Sequence, residues 1–185
     1  MKPTEFDDIS AELALYRPGP MGLGTHEEYC DRKNGIKPVT AYNDEMKDVL
    51  KKTYALTIYQ EDIMSLARHF ADYTGGEADE LRKATAKKNS FLIEKHRKMF
   101  VPRVNKKHPG LGDKLWEIIK PFGEYAFNKS HSVAYAVLTY RTAWLKTHYP
   151  AQFAGSVIDQ CIGNKDKVFE TVSWMKQEGM QINPP

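Results

Sequence analysis

Apolar residues recur at helical spacing along most of the chain. In one segment, Ile63, Leu66, Ala67 and Phe70 fall on a single face of a helix. No convincing run of alternating apolar and polar residues indicates a β-strand, and only residues 54–59 suggest a brief extended piece. The pattern therefore predicts an all-α fold, a compact multi-helix domain of about nine helices joined by short loops.

Glycines and prolines set the expected ends of these helices. Residues 18–20 (PGP) end the first helix at Leu15, because two prolines that flank a glycine cannot continue it. Arg17 is thereby expected on a stiff turn that follows the helix. Further along, one helix is expected to run from residue 111 to about residue 125.

The longest expected helix covers residues 130–148, and its apolar side chains run nearly unbroken around it. A helix that is apolar on all sides is normally buried, so we expect this helix to be buried and its start to be held rigidly. Tyr135, Tyr140 and Trp144 could stack on bases. Their spacing within an apolar helix favours packing in the core instead.

The start of this helix carries an amide, an ammonium, an imidazole and hydroxyls, in the order Asn128, Lys129, Ser130, His131 and Ser132. The first N–H groups of a helix lack internal partners and carry the positive end of the helix dipole, which favours an anion. These residues are therefore candidates for binding phosphate. The alternative is an ordinary capped helix start.

At 185 residues, the chain is long enough for a genuine core, and we expect one domain over residues 1–185. A sub-boundary is allowed near 109–112, and residues 180–185 are expected to begin a linker. Cys30 and Cys161 form no metal-binding or disulfide pattern, and His26 with Cys30 lacks further ligands, so no metal site is predicted. No leader or membrane span is expected, which favours a soluble cytoplasmic protein.

The net charge of +3 is modest, but the charges are unevenly distributed. Residues 1–31 are mostly acidic, while residues 82–107 hold ten Lys or Arg residues and Glu94 as the single acid. Such a basic block suits a polyanionic partner. It is equally typical of a solvated helix face.

Four stretches together resemble the fingers region of the replicative DNA polymerase III alpha subunit of bacteria and phages, the C family of DNA polymerases. They are residues 14–21 (ALYRPGPM), 59–64 (YQEDIM), 76–84 (GEADELRKA) and 127–135 (FNKSHSVAY). Their order and spacing also resemble that family, and the similarity continues through residues 145–150 (LKTHYP).

The resemblance implies a fingers domain that binds the incoming deoxynucleoside triphosphate and primer–template DNA. The residues implied for the triphosphate are Arg17, Asn128, Lys129, Ser130 and His131. Those implied for DNA or phosphate, without a division between the two, are Arg82, Lys83, Lys87 and Lys88. The other partners would be the palm and thumb of the same polymerase or of a partner chain, in a bacterial or phage-infected cell.

The chain also departs from the family. Relatives usually carry glycine where this chain has Ala55, Ala86 and Ala126, which suggests slightly different turns. The palm aspartates that hold two magnesium ions in the family have no counterpart here, so the chain alone is expected to be inactive and to bind no cofactor. Magnesium is expected in the complete polymerase.

Two other functions compete with a polymerase role. A stand-alone, non-catalytic helical DNA-binding module would bind DNA with little dependence on nucleotide. A structural helical protein with incidental basic patches would bind no DNA, and would leave the order of the four motifs unexplained.

Overall fold

The computed structural model describes residues 1–182, apart from the side chains of Gly123 and Glu124, and it confirms an all-α fold for that part of the chain. The helices are α1 (Phe6–Leu15), α2 (Pro18–Gly22), α3 (Thr25–Lys33), α4 (Asp44–Val49), α5 (Gln60–Ala71), α6 (Gly75–Ala86), α7 (Ser90–Lys107), α8 (Leu111–Ile119), α9 (Lys129–His148), α10 (Pro150–Gln160) and α11 (Lys165–Gln177). Two 3₁₀-helices span Lys51–Thr53 and Lys120–Glu124.

Helix α1 ends at Leu15 as predicted, but the segment that follows it and the end of α8 differ from the prediction, and proline explains both differences. The PGP segment is not a simple turn, because Pro18 begins the short helix α2 and Arg17 is its N-cap residue. Proline is tolerated in the first turn of a helix, where its missing N–H would have no partner. Helix α8 ends at Ile119 rather than near residue 125, and a 3₁₀-helix that contains Pro121 follows it.

The chain divides into two compact units, Met1–Ala136 and Val137–Pro185. The division lies within α9, not near residues 109–112, where α7 and α8 pack against each other. Of the expected linker at 180–185, residues 183–185 lie outside the described part of the chain.

The first unit has two apolar clusters. The larger is formed mainly by α5 to α8 and includes the fully buried Phe70, Leu81, Phe100 and Trp116. The smaller joins α1, α3 and residues 58–59. This second cluster matters for function because it supports both the end of α1 and the start of α5.

One of the three alanines that replace family glycines adopts a glycine-like conformation. Ala55 has φ 61°, next to Tyr54 with φ 53°, whereas Ala86 and Ala126 do not have positive φ angles. A left-handed conformation strains a residue with a Cβ atom. Ala55 therefore adopts a backbone conformation typical of glycine, at a cost in strain.

The prediction that α9 is buried was wrong. Only Ser132 and Ala136 are buried in this helix, while Tyr135, Tyr140 and Trp144 are 52%, 53% and 44% exposed. In the part of the chain that the structure describes, these three aromatic residues are therefore not packed in a core. Hydropathy identified apolar faces on all sides of the helix, but it could not identify which of them has a packing partner.

The second unit is small, with Ala154 its only fully buried apolar residue among those described. Phe153 of α10 meets Trp174 of α11 edge-on, with 6.4 Å between the ring centroids. The Lys146 ammonium lies 4.2 Å from the centre of the same Trp174 ring. Across residues 1–182, no helix combines the length and the apolar character that a membrane crossing requires.

Candidate functional site

A short backbone pairing brings two of the sequence motifs together. The Gln60 N–H donates to the Phe127 carbonyl at 2.9 Å, and the Phe127 N–H donates to the Ile58 carbonyl at 3.1 Å. The start of α5 is thereby joined to the residues just before α9. The candidate phosphate-binding residues of α9 are consequently positioned by a segment that lies almost seventy residues earlier in the sequence.

Arg17 is half-buried and is held by three neighbours. Its Nε donates to the Ala14 carbonyl at 2.8 Å, its Nη2 donates to the Tyr125 carbonyl, and its guanidinium carbon lies 4.8 Å from the centre of the Phe127 ring. No ion pair between Arg17 and a carboxylate occurs among the residues described. Its charge is therefore oriented by neutral groups and is not neutralised by an acid.

Gly19 allows this arrangement because it makes space for Tyr125. A Cβ atom at position 19 would lie 2.7 Å from the Tyr125 ring, which is closer than carbon atoms can approach. The glycine of the ALYRPGPM motif thus lets α2 approach the residue whose carbonyl accepts a hydrogen bond from Arg17.

The first turn of α9 already has partners for some of its N–H groups. The Asn128 side chain accepts a hydrogen bond from the His131 N–H at 2.9 Å, and the Glu61 carboxylate accepts one from the Lys129 N–H at 3.1 Å. The features of a capped helix start are therefore present. The contact between Glu61 and Lys129 was not predicted from the sequence.

Lys129 and His131 lie on either side of an aromatic surface. The Lys129 ammonium is 5.1 Å from the centre of the buried Tyr59 ring. The exposed His131 ring lies 5.5 Å from the Phe127 ring and 4.7 Å from the Tyr135 ring. Ser130 is exposed in the same turn. Phe127 contacts both Arg17 and His131, so the structure brings these two predicted residues close together.

Arg82 also reaches this region, through Gln60. Its Nη1 donates to the Gln60 side-chain oxygen at 3.0 Å, and its Nε donates to Asp79 at 2.9 Å. Lys83 pairs with the same Asp79 at 2.7 Å. Hydrogen bonds from Lys83 and Arg82 hold the pKa of Asp79 below its ordinary value. Gln60 and Glu61 thus both make contacts that join distant parts of the sequence.

Lys87 and Lys88 directly follow the C-terminal end of α6. Both are exposed, and Lys88 has φ 50°. Five or six residues separate them from Arg82, roughly 8 Å along a helix. The contacts through Gln60 and Phe127 link Arg82, Arg17 and the start of α9.

The remaining basic residues of the 82–107 block are largely paired. Four ion pairs at 2.6–3.2 Å join Lys95 to Glu80, Arg97 to Asp113, Arg103 to Glu77 and Lys107 to Asp72. Exposed pairs of this kind contribute little to stability, so a phosphate backbone can compete for the basic partners. No group of three potential metal ligands occurs in the part of the chain that is described.

An apolar cavity of about 460 Å³ lies beside Arg17, bounded by residues that include Leu15, Pro20, Leu23 and Tyr125. Its lining contains no charged side chain. A phosphate would lose its hydration there without gaining an ionic partner. The lining of this cavity therefore does not suit a phosphate.

Asp62 supports the start of α5 and makes stability dependent on pH. Its carboxylate accepts hydrogen bonds from the Ile58 and Tyr59 N–H groups, both at 2.8 Å. Burial outweighs these bonds and raises its pKa from 3.8 to about 6. Between these values the folded state holds a proton that the unfolded state has released, so the contribution of Asp62 to stability falls as the pH rises.

We expect the free energy of unfolding of the wild type, relative to Asp62→Asn, to fall by about 2 kcal/mol between about pH 4 and pH 7. Urea unfolding of both proteins across this range measures the difference. Acids whose pKa is lowered contribute equally to the pH dependence of both proteins, so their contribution cancels in the comparison. Parallel stability curves would contradict the assignment of this pH dependence to Asp62.

Comparisons with known proteins agree with the arrangement of motifs. Residues 1–108 match the family described as the bacterial DNA polymerase III alpha subunit finger domain. The whole chain is 41% identical to the DNA polymerase III subunit alpha of Saccharopolyspora erythraea, 40% identical to that of Mycobacterium tuberculosis and 42% identical to that of Aquifex aeolicus. It covers 16% of the length of each of these relatives. The chain therefore belongs to the bacterial DNA polymerase III alpha subunit finger domain family.

Proposed function

We propose that the chain acts in DNA replication as the fingers of a DNA polymerase, where it binds the incoming deoxynucleoside triphosphate and primer–template DNA. The observation that carries this proposal is the Arg17 guanidinium beside the start of α9, which is held in one orientation and is paired with no carboxylate among the described residues. The metal-binding carboxylates would lie in a palm region, with magnesium bound there. The chain alone would be inactive and would work with the palm and thumb in the cytoplasm.

Arg17 suits a triphosphate because phosphoryl transfer depends mainly on positioning and on neutralising negative charge. Nε and Nη2 are engaged with the Ala14 and Tyr125 carbonyls, which fix the plane of the guanidinium. Nη1 has no partner among the described residues and can donate to a phosphate oxygen. A guanidinium held in this way loses little further freedom when it binds.

Lys129, His131, Ser130 and Asn128 would add contacts from the first turn of α9. Glu61 accepts from the Lys129 N–H and so competes with any phosphate at this position. The charged Lys129 side chain and the helix dipole stabilise either the Glu61 carboxylate or a phosphate at this position. We propose that the triphosphate displaces Glu61, which would make binding more selective for a highly charged ligand.

Arg82, Lys83, Lys87 and Lys88 are proposed to contact the DNA backbone along α6, with Arg82 nearest to the nucleotide. Arg82 and Lys83 are paired with Asp79 at the surface. Exchange of such pairs for DNA phosphates releases counterions, and this makes the affinity strongly dependent on salt.

We expect the 185-residue chain to bind a labelled primer–template with an affinity that falls as salt increases. Substituting alanine for both Lys87 and Lys88 should reduce the slope of log K against log salt by about 2. Fluorescence anisotropy over a salt series measures this slope. Lys47→Ala is the matched control, since this lysine lies on α4 and pairs with Asp44 at 2.9 Å.

The same experiment separates the competing functions. A change in DNA affinity on adding deoxynucleoside triphosphate supports the polymerase role, whereas an affinity that ignores nucleotide supports a stand-alone DNA-binding module. Absence of salt-dependent binding at any nucleotide concentration would contradict both.

A further inference from the structure

A chain of buried hydroxyl groups connects α1, the start of α5 and the start of α9. The Tyr59 hydroxyl donates to Ser10 Oγ at 3.2 Å, and Ser10 Oγ lies 2.8 Å from Ser132 Oγ. Ser132 Oγ donates to the Lys129 carbonyl at 3.0 Å. Ser10 and Ser132 are 1% and 0% exposed, so water does not compete for these bonds.

The three bonds, when they are made together, have one order of donors and acceptors. Ser132 has a single hydroxyl proton, which it gives to the Lys129 carbonyl, so it must accept from Ser10. Ser10 in turn accepts from Tyr59. Burial raises the pKa of Tyr59 above its ordinary value, which keeps this hydroxyl protonated as the first donor. Ser10 and Ser132 therefore each donate once and accept once, and Tyr59 donates as the first member of the series.

The series of hydroxyl groups ends at Lys129, the residue whose position matters for the proposed phosphate binding. The Lys129 carbonyl accepts from Ser132, and the Lys129 ammonium lies over the ring of Tyr59, where the chain begins. Ser10 belongs to α1, and Arg17 follows directly after the end of that helix. The hydroxyl chain thus links the two elements that carry the proposed triphosphate-binding charges.

We propose that Tyr59, Ser10 and Ser132 are positioning residues that fix the first turn of α9, and Lys129 in particular, for binding a triphosphate. This inference rests on the proposed function of Lys129. Buried hydroxyl groups with all partners satisfied specify one arrangement, because any shift leaves a polar group without a partner. Ser132, which sequence analysis named only as part of the motif, thereby acquires a role distinct from that of its exposed neighbours.

The test is a titration of the ¹⁵N-labelled 185-residue chain with dATP, followed by NMR, for Ser132→Ala, Lys129→Ala and the double variant. We expect Ser132→Ala to weaken dATP binding about five- to tenfold, the equivalent of one buried hydrogen bond. The double variant should bind no more weakly than Lys129→Ala alone, because Ser132 acts through Lys129. Such coupling is not expected of a residue that only supports the fold.

Thr53→Val is the matched control, since Thr53 is 3% exposed and its hydroxyl bonds to the Leu50 and Leu56 carbonyls, away from Lys129. It should lower the melting temperature without changing dATP affinity. Tyr59→Phe provides a second variant if Ser132→Ala does not fold, because it keeps the ring beneath Lys129 and removes only the first donor. It should weaken dATP binding in the same direction.

Three results would overturn the inference. If Lys129→Ala weakens dATP binding while Ser132→Ala and Tyr59→Phe leave it unchanged, the hydroxyl chain has no positioning role and the proposed function stands. If Lys129→Ala itself has no effect, the proposed role of Lys129 fails and the inference fails with it. Losses that multiply in the double variant would also contradict positioning through Lys129.

Discussion

Arg17→Ala is expected to lower the rate of nucleotide incorporation about 10²–10³-fold in a polymerase that carries this chain as its fingers. The variant removes a charge that is oriented by two carbonyl groups and an aromatic ring. A pre-oriented charge at a triphosphate stabilises the negative charge that is redistributed during phosphoryl transfer. The effect should therefore appear mainly in the rate of incorporation and only weakly in folding.

The measurement uses an Aquifex aeolicus alpha subunit in which this chain replaces the matching residues, since the two are 42% identical over the whole chain. Single-turnover incorporation gives the rate for the unmodified chimera and for each variant. Arg68→Ala is the control, because Arg68 is exposed on α5. Arg17→Lys should also be impaired, since an ammonium cannot bind both carbonyls and a phosphate with the geometry of a guanidinium. Equal rates for Arg17→Ala and Arg68→Ala would contradict the proposed role.

Gly112→Ala is expected to lower the free energy of unfolding by about 3 kcal/mol. At this position α8 crosses α7 so closely that a Cβ atom would lie 2.6 Å from the Val101 carbonyl oxygen. It would also lie 2.9 Å from Asn105 Oδ1, which accepts a hydrogen bond from the Gly112 N–H. The methyl group can fit only if the two helices separate, and that would disrupt the contact between Phe100 and Trp116.

Urea unfolding measures this loss. Gly76→Ala is the matched control, because no atom lies within 4 Å of a Cβ at that position in α6. The control should be neutral or stabilising by up to about 1 kcal/mol, since alanine favours helix more than glycine does. An unchanged unfolding midpoint for Gly112→Ala would show that α7 and α8 are not packed as described.

The local part of the structure could be predicted from the sequence. Periodicity and breakers indicate helices that begin near residues 60 and 130, and the all-α fold follows from them. Motif similarity identified the family correctly. These successes share a cause, because spacing of apolar residues and the chemistry of helix ends depend only on neighbours in the sequence.

The contacts that build the candidate site could not be predicted in the same way. The Glu61 carboxylate meets the Lys129 N–H across 68 residues, and no local pattern specifies such a pair. Arg82 reaches Gln60 across 22 residues. The exposure of α9 was missed for a related reason. An apolar face indicates which surface of a helix can be buried, but not whether another part of this chain packs against it.

The most direct test of the central claim is titration of the ¹⁵N-labelled chain with dATP and, separately, with inorganic tripolyphosphate. The account predicts saturable shifts at the Lys129 to His131 amides and at the Arg17 Nε–H signal with both ligands. Primer–template DNA should instead shift the amides of α6 near Lys87 and Lys88. Shifts confined to α6 with all three ligands, or none at Arg17 and α9, would contradict the assignment of these residues to the triphosphate.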